Sequence, residues 1–413
     1  MADEKKERAY LRELARRYLE IANLPVMKER EHRWYRHNAV CGERPIVVIE
    51  MSTFAGDLMP PPVCEGGFAR RVENTLMSAI VNHEMVDDDK VVSPVFEVPL
   101  DITIQMFGHA LKREYAKDAD GRSLGYRDEH LIQDLEEDLP KLQHSVCRWD
   151  REATAAYETF VLDTIGDLMP VRETNHSLDW YFAPSQRVIE LMGMEALMYA
   201  MIDTPEAVKA LYDFIAEDML RVLDWQEKNG ALRLNTGNNY AGSGSYGFTH
   251  ELPTGDPVTR KMIWGNMNSQ ETVSISPTMF HDFVYPSYER LAREFGLIYY
   301  GCCEPVSAVW GDIEHLPNLR KASVSPWCDQ AFMGEALRGS QVIYSRKPSP
   351  NYLGVGVEFD EDAYTRHIDE TLECARGCEL EIIHRDIYTL SGNTAKVKQA
   401  VKIIRREIDR LWQ

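Results

Sequence analysis

Leu297-Ile298-Tyr299-Tyr300-Gly301-Cys302-Cys303-Glu304 decides how this chain is read. Four apolar or aromatic residues make a short buried strand, and a glycine, two cysteines and a carboxylate end it. The residues before it, from Ser276-Pro277 to Glu294-Phe295-Gly296, read as a helix with proline in its first turn. The alternation repeats downstream. Ala322-Ser323-Val324-Ser325 runs into Trp327-Cys328-Asp329, and Val342-Ile343-Tyr344 runs into Ser345-Arg346-Lys347. Glu379-Leu380-Glu381-Ile382-Ile383 runs into His384-Arg385-Asp386, with a helix before it over roughly 361–376 and a last helix from about Thr394. Upstream, Ile46-Val47-Val48-Ile49 and Met262-Ile263-Trp264 are strands of the same kind. Repeated strand–helix units predict a parallel sheet. At 413 residues the chain favours an α/β fold closed as a (β/α)8 TIM-type barrel over an open sheet. No GxGxxG or P-loop follows any strand, which argues against nucleotide binding.

Other segments fit around this frame. Val98-Leu100-Ile102-Ile104 alternates like a half-buried strand, and Phe160-Val161-Leu162 and Leu232-Arg233-Leu234 are further strand candidates. A helical region runs from about Arg187 to Lys228, restarts at Thr204-Pro205 and closes at Asn229-Gly230. The first forty residues read as two helices divided at Pro25. They make residues 1–42 a helical extension and 43–413 the barrel domain. Lys and Arg number 46 against 66 Asp and Glu, a net charge of −20, which argues against a nucleic-acid binder. The second helix, with Arg30, Arg33, Trp34, Tyr35 and Arg36, leaves a nucleic-acid arm as the alternative to a packed extension. The N-terminus lacks an apolar signal core, and no run approaches the roughly 18–20 apolar residues of a membrane span. A cytoplasmic protein with eight free thiols is expected.

A barrel of this type builds its active site at the C-terminal ends of its strands. That rule selects Cys302, Cys303 and Glu304, then Cys328 and Asp329, Arg346 and Lys347, and His384 and Asp386. It also selects the polar stretch Asn266, Asn268, Gln270 and Glu271 after Trp264. Thiolates with carboxylates or imidazole on neighbouring strands suit zinc. Strand alternation lets only one of Cys302 and Cys303 face the mouth easily, and it puts His384 and Asp386 on one face. Asp87-Asp88-Asp89 reads as a solvated loop. Asn235–Phe248 combines glycines, amides and aromatics, so Asn239, Tyr240, Tyr246 and Phe248 are expected to wall a flat substrate, together with Trp264, Trp327 and Arg346.

At these residues the sequence resembles the uroporphyrinogen decarboxylase superfamily. Trp180-Tyr181-Phe182-Ala183-Pro184, Leu191-Met192-Gly193-Met194-Glu195 and Asp203-Thr204-Pro205-Glu206 look like its central helical region. Ser276-Pro277-Thr278-Met279-Phe280 with Tyr285-Pro286 looks like its "SP–x–x–F … P" helix. True decarboxylases carry arginines near the first strand; here that region reads Val48-Ile49-Glu50-Met51-Ser52-Thr53-Phe54. The segments YGCCEP, SPWCD, SRKP and EIIHRDI look most like the corrinoid-dependent methyltransferase branch, and within it the O-demethylase members. The branch places zinc on "H–x–C" after one strand and on a Cys after the last. Here Gly301 stands for the His, Cys303 matches the Cys, and the last position falls on or near Asp386.

The resemblance implies a methyltransferase that moves methyl from a methoxylated aromatic compound to a Co(I) corrinoid. It implies zinc on Cys303 and Asp386, with a third ligand from Cys302, Glu304 or Glu271, acting on the ether oxygen. The chain has no "DxHxxG" motif, so the corrinoid is expected on a separate partner protein. Two other readings stay open: a zinc methyltransferase passing methyl from a methyl-corrinoid to a thiol or pterin, and a silent barrel acting as a partner subunit. A homodimer is also left open.

Overall fold

Short apolar runs that end in glycine or polar clusters become parallel strands. The computed structural model describes residues 2–108, 113–117 and 123–412. In chain order its strands are β1 (Ile46–Ile49), β2 (Phe96–Pro99), β3 (Ile102–Gln105), β4 (Arg113–Lys117), β5 (Ser123–Asp128), β6 (Val146–Trp149), β7 (Val171–Thr174), β8 (Tyr240–Gly242), β9 (Ser245–Tyr246), β10 (Trp264–Met267), β11 (Leu297–Tyr300), β12 (Leu319–Val324), β13 (Ile343–Arg346) and β14 (Leu380–His384). Six of them form one parallel sheet in the order β1-β14-β13-β12-β11-β10. β2 and β7 form a second parallel pair, and β3–β6, β4–β5 and β8–β9 pair antiparallel. Helices run between the sheet strands, so the chain is a mixed α/β protein. Among the described residues no helix is long and apolar enough to cross a membrane.

Several sequence expectations are corrected here. The region expected as one alternating strand over 98–104 is two strands, β2 and β3, which pair with different partners. Phe160-Val161-Leu162 lies inside the helix Arg151–Ile165, whose buried residues Thr154, Tyr157, Val161 and Thr164 recur at helical spacing. The long helical region is three helices, Pro184–Met192, Met194–Asp203 and Pro205–Lys228, broken at Gly193 and Thr204. Leu232-Arg233-Leu234 forms no regular strand. Asn235 beside it uses its side-chain amide as a strand would use its backbone. It accepts from the Trp264 N–H at 2.8 Å and donates to the Trp264 carbonyl at 3.1 Å, along the outer edge of β10.

The opposite edge, on β1, is finished the same way. Asp89 accepts from the Val47 N–H at 2.9 Å and Asp88 from the Ile49 N–H at 2.8 Å. The Asp89 N–H donates to the Val47 carbonyl and Lys90 Nζ to the Ile49 carbonyl, both at 2.8 Å. Asp88 and Asp89 are therefore buried rather than solvated, which corrects the loop reading. Burial pushes the Asp89 carboxyl up, but Arg33, Arg405 and the Val47 amide outweigh it and hold it below the usual range.

The sheet separates two chemistries. One face, carrying Ile298, Tyr300, Ala322, Val324, Tyr344 and Ile382, packs into the main apolar core with the helices. The other carries Asn266, Tyr299, Lys321, Ser345 and Glu381, and the β8–β9 hairpin lies on it. A Cβ on Gly242 would sit 2.6 Å from the Tyr299 ring, and one on Gly244 would sit 2.6 Å from Ile383. Both glycines have positive φ, so the hairpin needs them for close approach and for its turn. At the start of β14, Glu381 accepts from Lys321 Nζ at 3.0 Å and from Ser245 Oγ at 2.9 Å. The helix α2 (Pro25–Asn38) docks there, with His37 bridging Glu379 at 2.8 Å and Glu381 at 3.1 Å. The helix α1 (Ala2–Ala22) packs instead into a separate apolar core with residues such as Leu76, Ile80 and Val161.

Candidate functional site

At the C-terminal end of the sheet lies a cavity of about 530 Å³ whose lining includes Trp180, Cys302, Cys303, Trp327, Arg385 and Asp386. Two strand ends make its chemistry. β11 stops at Tyr300, and Gly301 follows with φ +101°, a conformation only glycine takes easily. That turn breaks strand alternation, so both thiols face the cavity with their sulfurs 3.4 Å apart. The expectation that only one could do so is corrected.

β14 stops at His384, and Asp386 takes a left-handed φ of 59°. Its carboxylate swings into the cavity and accepts from Cys303 Sγ at 3.3 Å. His384 does not share that face, against expectation. It is buried behind the sheet with Nε2 2.6 Å from the Tyr364 hydroxyl. Burial first, then His367 and Arg346, push its imidazole down to about 3, so it stays neutral. Trp180, across the cavity, also has a left-handed φ of 60°. Two non-glycine residues in this conformation at one cavity mark a place where the surroundings impose backbone strain.

Cys303 holds its proton firmly. Its hydrogen bond to Cys302, burial and the Asp386 charge all push the thiol far above its ordinary value. Arg385 is the cation of the cavity wall. Its Nε lies 3.4 Å from Glu50 and 3.3 Å from Asp386, and its guanidinium sits 5.1 Å from the Trp180 ring centre. Glu50, at the end of β1, also lines a neighbouring cavity of about 390 Å³ with Asn82, Lys90 and Tyr246.

Glu304 is buried and accepts from the backbone N–H groups of Ser269 and Cys302, both at 2.8 Å, so it fixes the Cys302 turn. Glu271 accepts from Ser185 Oγ at 2.9 Å. Burial pushes both carboxyls up. Neither lines the cavity. Tyr240 lies next to Trp180, ring centres 6.0 Å apart. Asn239 donates to Glu97 at 3.0 Å, and Trp264 Nε1 donates to the Gly247 carbonyl at 2.8 Å. Phe248 packs on Trp34 and Tyr35, and Tyr246 on Trp34. Arg346 is buried behind the sheet and donates to the Ser325 carbonyl at 2.6 Å. The structure thus brings together Gln270, Cys302, Cys303, Asp386 and Trp327, and leaves the other expected residues off this cavity's lining. Sequence reasoning missed Trp180, Arg385 and Tyr388 as lining residues. The available signal for Arg385 was its position between two strand-end residues already selected.

Two thiols and a carboxylate linked by contacts of 3.3–3.4 Å have the donor chemistry of a zinc site. As they stand, no three His, Cys, Asp or Glu side chains among the described residues form a set arranged to hold a metal ion. No family model matches the chain. No curated protein sequence matches it either. Among solved structures the chain is similar to a methyltransferase from Methanosarcina mazei, with a TM-score of 0.51 and 12% identity over 93% of this chain and 99% of that one. At that identity the likeness is one of fold, and it runs through nearly the whole length of both proteins.

Proposed function

We propose that this protein is the methyltransferase component of a corrinoid-dependent system that takes methyl from a methoxylated aromatic compound. The observation that carries the reading is the convergence of Cys302, Cys303 and Asp386 at two strand ends, under exposed Trp327 and Tyr388. The fold likeness to a methyltransferase supports it. In this reading the eight parallel strands β1, β2, β7 and β10–β14 are one (β/α)8 barrel, and residues 1–42 are an extension docked on it.

The chemical difficulty is the leaving group, since Co(I) is already a strong nucleophile. Zinc held by Cys303, Asp386 and Cys302 would supply a Lewis acid for the ether oxygen. The chain does the rest. Trp180 and Trp327 give flat apolar walls for a ring. Glu304 holds the turn that presents both thiols. The protons on Cys302 and Cys303 must leave before the sulfurs can bind a metal, so metal uptake should release protons and weaken as pH falls. The corrinoid arrives on its own protein at the open mouth.

The test is zinc analysis followed by Co(I) methylation assays with methoxy-aromatics, methanol and methylamines. Near one zinc per chain with turnover of methoxy-aromatics supports the reading, and Cys303→Ala should then lose both zinc and turnover while staying folded. A folded Cys303→Ala protein with full zinc and full activity would overturn the ligand assignment. Turnover of none of these donors would overturn the reaction.

A further inference from the structure

We propose that Cys302 and Cys303 are a vicinal dithiol that a low-molecular-weight disulfide converts to a ring-closed disulfide between neighbouring residues. Three observations carry it. The two sulfurs already lie 3.4 Å apart, on the same side of a turn that Gly301 makes possible. Both line a cavity of about 530 Å³, large enough for a small disulfide. Cys302 is 5% exposed and Cys303 is more open, so an incoming disulfide meets Cys303 first and finds Cys302 directly behind it.

The step balances. Cys303 sulfur forms a bond to one sulfur of the reagent, and the other half leaves as a thiol. Cys302 sulfur then attacks Cys303 sulfur, and the second half leaves as a thiol. Two cysteine thiols are oxidised, one external disulfide is reduced, and the two cysteine protons end on the two released thiols. The first exchange waits on a reagent from solution, so it is the slow one. Ring closure, between sulfurs already in contact, is the fast one, and the mixed disulfide does not accumulate. Neighbouring Cα atoms lie about 3.8 Å apart, closer than disulfides prefer, so the ring is strained and easily reduced again. Closure also takes Cys303 away from Asp386. It would therefore empty the donor set of the proposed function, but the modification itself does not rest on that reading.

The experiment treats the full chain with hydroxyethyl disulfide and maps every cysteine by peptide mass. Cys41, which is exposed, serves as the internal control and should carry the adduct. The peptide spanning Cys302 and Cys303 should instead lose two hydrogens with no adduct, and dithiothreitol should restore it. In Cys302→Ser the adduct should stay on Cys303. A wild-type peptide that stays unmodified while Cys41 reacts, or that keeps a stable adduct, overturns the proposal. Ring closure in a protein without methyl transfer would leave this inference standing and remove the function. Methyl transfer without ring closure would do the reverse.

Discussion

The two ends of β14 hold the same kinds of side chain in opposite states. At its start, Glu381 and Lys321 are fully buried, 3.0 Å apart, with His37 and Ser245 completing the network. At its other end, Arg385 and Asp386 are half-buried, Asp386 bends through a left-handed backbone, and Arg385 Nη1 is buried without a hydrogen-bond partner. Charge alone therefore does not mark a site. The lower cluster pairs its charges to dock a helix and a hairpin, with every bond to Glu381 made at Oε2 while Oε1 stays without a partner. The upper one leaves a left-handed backbone at Asp386 and the Cys303–Asp386 pair facing a cavity.

Breaking the lower cluster should cost the most. Lys321→Met leaves Glu381 charged and buried, which should destabilise the fold by about 3–5 kcal/mol in denaturant unfolding. A loss below 1 kcal/mol would mean that the network is not what holds this end.

A pH titration sharpens the same contrast. Burial lowers the His37 imidazole, but its bonds to Glu379 and Glu381 outweigh that and raise it above its ordinary value. A raised folded value means that the contribution is complete below the unfolded value of about 6.5 and is lost as pH rises through the folded one. Unfolding free energy should therefore fall across that alkaline window in the parent and stay flatter in His37→Gln. Parallel curves for the two proteins would refute the assignment.

The smallest stability effect belongs to the upper end. Asp386→Gly suits the left-handed backbone, so stability should change by no more than about 1 kcal/mol. Methyl transfer should nonetheless drop steeply. Equal losses of stability and activity would erase the distinction between the two ends.

Much of the frame was legible because buried parallel strands are short apolar runs with clear stops, as Leu297–Tyr300 and Leu380–His384 are. The strand-end rule also found Cys302, Cys303 and Asp386. The side of the sheet each residue takes was not legible, because alternation fails wherever φ turns positive, as at Gly301 and Asp386. Asp88 and Asp89 look solvated in sequence. Only the folded chain reveals that β1 has amides needing acceptors there. Phe160-Val161-Leu162 misled because three apolar residues are too few to fix a period.

The finished ends of the six-stranded ladder have a consequence for the cost of burying it. A backbone amide or carbonyl taken out of water without a partner is expensive. Here Asp88 and Asp89 occupy the amides of Val47 and Ile49, and Asn235 occupies both backbone groups of Trp264. Val47, Ile49, Asp88, Asp89 and Trp264 are all buried, so the side chains of Asp88, Asp89 and Asn235 supply partners to amides and carbonyls that water could not reach.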